Sequence, residues 1–256
     1  MRSTIATLFL GLSLVAGCEV GDVGGGGGGG GDDVQGGADA AVTETPRLSV
    51  MVDKATVSTE LASANMVTVS MTGSGGFSGA ITLSGTVVDT AGVAIPGWTV
   101  GFNTATVNLT SNGTGSAVAT VMIPSDSAAL TGQVKITVTS SVGMQTATSD
   151  VTALKQVTIN VTEQGGQCVY PTTASMMNMQ VKAGTKVRFV NKFAADNVAI
   201  HSQAKVQGGI SAFGHEINTG HLPDTAYEVT VNQGASTWYC HAPGPTVNNL
   251  SVTVVP

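Results

Sequence analysis

The chain has 256 residues, a formal charge of −6, and only 10% charged residues. Its ten lysines and arginines form no cluster, which argues against a nucleic-acid partner, because phosphate binding needs grouped cations. Abundant glycine (34 residues), with Thr, Val and Ser crowding the middle, fits an extracellular β-protein.

The first element is "MRSTIATLFLGLSLVAGC", with Arg2, an apolar run, and small residues before Cys18. These are the parts of an export signal, and the run is too short for a permanent membrane span. "LVAGC" (Leu14 to Cys18) resembles the lipobox of bacterial lipoproteins. That resemblance implies removal of residues 1–17, acyl chains on Cys18, and attachment to a membrane of the bacterial cell envelope, facing the periplasm or the cell surface. An ordinary signal peptide cut elsewhere is the alternative. Residues 18–46 follow, with a glycine tract, scattered acids and little to bury. They read as a flexible tether, reaching about 30 Å as a Gly-rich coil.

From Arg47 the pattern changes. "RLSVMVD", "MVTVSMTG", "AITLSGTVVD", "ATVNLTS", "SAVATVMIP", "QVKITVTS" and "TATSDVTAL" alternate apolar with small polar residues, separated by turn residues. Period-two alternation at short spacing predicts an antiparallel β-sandwich over 47–154. The segment, notably "GFNTATVNLTSNGTGSAVATVMIP", resembles bacterial immunoglobulin-like domains. It holds no His or Cys, so metal binding and acid–base chemistry are not expected of it. A spacer role is.

A second all-β segment spans 155–256: "QVTINVTE", "MQVKAGTKVRFVN", "NVAIHS", "AYEVTVN", "STWYC" and "NLSVTVV". Ala-Gly in "VKAGTKVRF" predicts a tight hairpin. The order of hairpin, "YC" strand and final "LSVTV" strand resembles the cupredoxins. That resemblance implies a Greek-key sandwich with copper at one end, and electron transfer with a redox protein partner. Blue-copper chemistry needs a thiolate, two imidazoles and a weak axial group. At the family's first histidine position this chain has Asp196, and at its later ligand positions Pro243 and Thr246. An ordinary site of that type is not expected. All four histidines nevertheless fall at 201, 215, 221 and 241, in the forty-odd residues that end at Cys240-His241. A shifted copper site of His201, His215, Cys240 and His241 follows as an expectation, with His221 the weakest candidate.

Cysteine arithmetic gives the rival. If Cys18 carries lipid, Cys168 and Cys240 remain, and an even pair in an exported domain is by default a disulfide. Sequence leaves both open. The "MMNM" segment (Met176 to Met179) offers thioethers for Cu(I), or simply core packing. No Gly-x-Ser-x-Gly elbow or paired carboxylates near the histidines point to hydrolysis, and no enzyme is expected. Two functions stand: copper binding around Cys240, or a metal-free, disulfide-locked surface interaction module.

Overall fold

A computed structural model describes residues 44–171, 177–202, 222–241 and 249–256. The protein is all-β. No helix among the described residues is long and apolar enough to cross a membrane.

The first nine strands are β1 (Arg47–Val52), β2 (Thr56–Glu60), β3 (Ala64–Ser74), β4 (Gly79–Val88), β5 (Thr99–Phe102), β6 (Thr106–Leu109), β7 (Thr114–Met122), β8 (Thr131–Ser140) and β9 (Gly143–Leu154). They form two sheets, ordered β1-β3-β7-β5 and β2-β9-β8-β4-β6. The period-two pattern explains the core. Val67, Val69 and Met71 of β3 are fully buried, as are Val134, Ile136 and Val138 of β8, while the residues between them are less buried. Each such side chain contributes about 1.5–3 kcal/mol of transfer free energy. Trp98 is also buried, its indole Nε1 donating to the buried Ser127 Oγ at 2.7 Å.

The remaining strands are β10 (Gln156–Gln164), β11 (Gln167–Val169), β12 (Asn178–Lys182), β13 (Thr185–Asn191), β14 (Ala199–Ser202), β15 (Ala226–Val231), β16 (Ala235–His241) and β17 (Leu250–Val255). Their sheets are ordered β11-β10-β13-β15 and β12-β17-β16-β14, with β10 parallel to β13 and β12 parallel to β17.

The β-hairpin expected at "VKAGTKVRF" does not form. The turn is tight, with Gly184 at φ 80°, but β12 and β13 lie in different sheets. β13 already has β10 on one edge and β15 on the other, so it has no free edge for β12. The turn is a corner between layers, fixed by Gly184 N donating to Val231 O (2.7 Å) and Thr185 Oγ1 to Lys182 O (2.7 Å).

A single residue, Lys155, separates β9 from β10. Hydrogen bonds stitch the two pairs of sheets across it. Leu61 N donates to Gln156 O at 2.9 Å, Gln156 Nε2 to Glu60 Oε1 at 2.6 Å, and Ser125 Oγ to Gln180 O at 2.5 Å. Lys155 itself donates from Nζ to Ala183 O and accepts from Lys186 N. Residues Thr43–Pro256 accordingly form one compact unit.

Candidate functional site: a cystine between two sheets

β10 turns through Gly165 and Gly166, both at positive φ, into the short strand β11. Only glycine adopts that conformation without steric cost, so the Gly-Gly pair dictates the reversal. The register sets Cys168 opposite Glu163 and sends its side chain into the core, fully buried. On the other sheet, β16 carries Cys240 opposite Ile200 of β14, and both are buried. The two cysteines are joined as a disulfide, with Cα atoms 6.1 Å apart and a sequence separation of 72. The bond therefore links the two layers of the second sandwich.

Aromatic rings pack around it. Phe189 stacks on Trp238 with centroids 4.9 Å apart, and Tyr170 meets Phe189 edge-on at 6.1 Å. All three are fully buried. Burial drives the Tyr170 phenol well above its ordinary value, so it stays neutral. This is an apolar, buried surrounding, with no ionised side chain among the residues just named.

The expected copper donors fare differently. A copper–thiolate centre needs a free thiolate, and in this structure the Cys240 sulfur is bonded to Cys168, so the donor set does not fit one. His201 lies on β14 opposite Tyr239, and His241 ends β16 opposite Ala199. These are backbone positions; their side chains, and all of His215 and His221, lie outside the described residues, as does Cys18. Among the described residues no group of three or more His, Cys, Asp or Glu could hold a metal. Asp196 is exposed and its carbonyl accepts from the buried Asn191 Nδ2 at 2.8 Å, which makes that position a turn support. Within "MMNM", Met179 is buried in the core and Met177 is half-buried, while Met176 lies outside the described residues.

Sequence reasoning passed over one charged group. On the strands facing solvent, Lys186 and Arg188 of β13 both pair with Glu228 of β15, at 3.0 and 3.1 Å. The hydrogen bond from Lys186 leads in holding the Glu228 carboxyl below its ordinary value, with the charges of Lys186 and Arg188 adding to it. The i, i+2 spacing of Lys186 and Arg188 on an alternating strand was the available signal.

No family model matches the chain, and no curated protein matches it in sequence. Among solved structures it is similar to a family 123 glycoside hydrolase from Clostridium perfringens (13% identity, TM-score 0.35, 42% of this chain and 27% of that one). It is also similar to a chimeric titin Z1Z2 (15%, 0.28, 84% and 98%) and to the E. coli chaperone DraB (12%, 0.27, 81% and 97%). The chain thus spans about a quarter of the length of that hydrolase. At these values the likenesses carry no functional argument.

Proposed function

We propose that the chain is an exported, lipid-anchored protein of the bacterial cell envelope whose two sandwiches form a surface interaction module. In this reading Cys18 carries acyl chains, residues 18–46 are the tether, the first sandwich is an immunoglobulin-like spacer, and the second is cupredoxin-like. The observation that carries the module reading is the buried Cys168–Cys240 disulfide. It uses the sulfur a copper–thiolate centre would need, and a cystine fits an oxidising, extracytoplasmic setting. The order of β12, β13, β16 and β17 supports the cupredoxin-like reading of the second sandwich.

A second reading is copper held by His201, His215, Cys240 and His241, with electron transfer to a redox protein. What favours it is the placement of all four histidines between 201 and 241. It requires Cys240 reduced. Non-reducing peptide mapping of the purified chain, followed by Cu(II) titration with and without prior reduction, separates the two. The module reading expects one linked Cys168–Cys240 peptide and no thiolate-to-copper absorption from the untreated protein. A free Cys240 with an intense visible band that Cys240→Ser abolishes overturns it in favour of copper.

A further inference from the structure

On the first sandwich, the outer face of β4, β8 and β9 is walled by the loop after β4 into a groove of about 700 Å³. We propose that this groove binds a neutral, polyhydroxylated ligand, an oligosaccharide, on the face of the five-stranded sheet.

The floor is a grid of hydroxyls. Thr86, Lys135 and Thr148 lie side by side on three adjacent strands, and Thr131 stands opposite Thr152. Neighbouring strands set such groups about 4.8 Å apart, and same-face positions along a strand about 6.8 Å apart. Among the described residues, the hydroxyls of Thr86, Thr90, Thr131, Thr148 and Thr152 make no hydrogen bond, in contrast to those of Thr59, Thr104, Thr185 and Thr225. They offer donors and acceptors to whatever lies above them.

The groove also holds charged groups of both signs. Asp150 accepts from Gln133 Nε2 at 2.9 Å. Lys135 makes no ion pair among the described residues. Asp89 uses Oδ1 to accept from Ala91 N and Val93 N, both at 2.9 Å, which tightens the wall. The same wall is held by Asp89 N to Val93 O at 2.8 Å and by a bridge from Val88 to Ala94. A preformed wall lowers the ordering cost of binding.

Two carboxylates against one lysine disfavour an anion, while Val88 and Val151 among the threonines suit a ligand that carries both hydroxyls and apolar C–H faces. Sugar hydroxyls, which both donate and accept, match carboxylate, amide, ammonium and threonine groups together. The groove shares no residue with the disulfide or with the expected copper donors.

The test is calorimetric titration of the full-length chain with the soluble hexasaccharides of glucose and of N-acetylglucosamine, with inorganic sulfate as the anionic comparison. Saturable binding of at least one sugar is expected, with a dissociation constant of about 1 mM. Asp150→Ala and Thr148→Val should each weaken it about tenfold, while Arg188→Ala on the second sandwich should leave it unchanged. Both groove residues are exposed, so folding should survive, and circular dichroism checks this. No saturation by either sugar up to about 10 mM overturns the proposal. So does tighter binding of sulfate, or sugar binding that both groove variants leave intact.

Discussion

Removing the cystine tests how much of the second sandwich's stability comes from one covalent link. The substitution of choice is the double variant Cys168→Ala/Cys240→Ala, because serine would place hydroxyls at two fully buried, apolar positions. The bridge closes a segment with a sequence separation of 72. On the chain-entropy model, a loop of that length gives about −15 cal/mol/K, or about 4 kcal/mol at 25 °C. Thr43–Pro256 forms one compact unit, and at that size each kcal/mol moves Tm by about 2–4 °C. Differential scanning calorimetry should therefore show a fall of about 8–16 °C if the unit melts in one transition. If the second sandwich uncouples, its own transition should fall by about 16–32 °C while the first stays in place, because only the second contains the bridge. Wild-type protein reduced while unfolded and then refolded should melt with the variant. A variant whose transitions all lie within about 3 °C of wild type would refute the entropic argument.

Ser127→Ala leaves the indole N–H of the buried Trp98 without its acceptor, and should cost about 1–3 kcal/mol in urea denaturation. Gly75→Ala should destabilise by at least about 1–3 kcal/mol in the same assay, because the residue sits at φ 59° and a Cβ would lie 2.3 Å from Thr45 O. The pH dependence of the surface network has a fixed sign. Glu228 titrates below its ordinary 4.5, so its contribution is present above the unfolded value and is lost as pH falls through the lower folded value. Glu228→Gln should flatten that part of the acid limb slightly, and high salt should shrink the difference, since the carboxylate is exposed. Cys18→Ser should release the chain from membranes or leave it unprocessed, measured by fractionation; unchanged processing and attachment would count against the lipid anchor.

The long strands were legible because their alternation is regular. β3, β4, β7, β8 and β9 each run at least nine residues, and each carries a repeated buried face. Among the short ones the outcome was mixed: the four-residue β6 and β14 fall within "ATVNLTS" and "NVAIHS", whereas β2 and β5, with five and four residues, were passed over. The corner at Gly184 looked like a hairpin because a tight turn has the same local chemistry whether the flanking strands pair or part. What decides between them is whether β13 has a free edge, and that depends on β10 and β15, distant in sequence. The cysteine pairing was open for the same reason. Composition gave the candidates, but the 6.1 Å approach of Cys168 and Cys240 exists only once β11 and β16 lie in facing sheets. The groove on the first sandwich left no motif, since an outward-facing threonine looks the same in sequence whether it lines a groove or open sheet.

The parallel pairings also impose an order on folding. Among the described residues, β2 joins its sheet only through β9, which pairs residues 56–60 with 150–154, and β12 joins its sheet only through β17. In each sandwich an early strand thus waits for the last one. β17 is moreover an interior strand, so until it arrives β12 has no neighbour and β16 has β14 alone. A chain emerging from a ribosome or a translocation pore in sequence order cannot complete the first sandwich before Leu154 is out, nor the second before Val255. Such long-range closure is slow, because the loop entropy is lost before the contacts form. Until then, apolar strand faces stay uncovered and strand edges unpaired, which makes the interval before closure the period of greatest risk of aggregation.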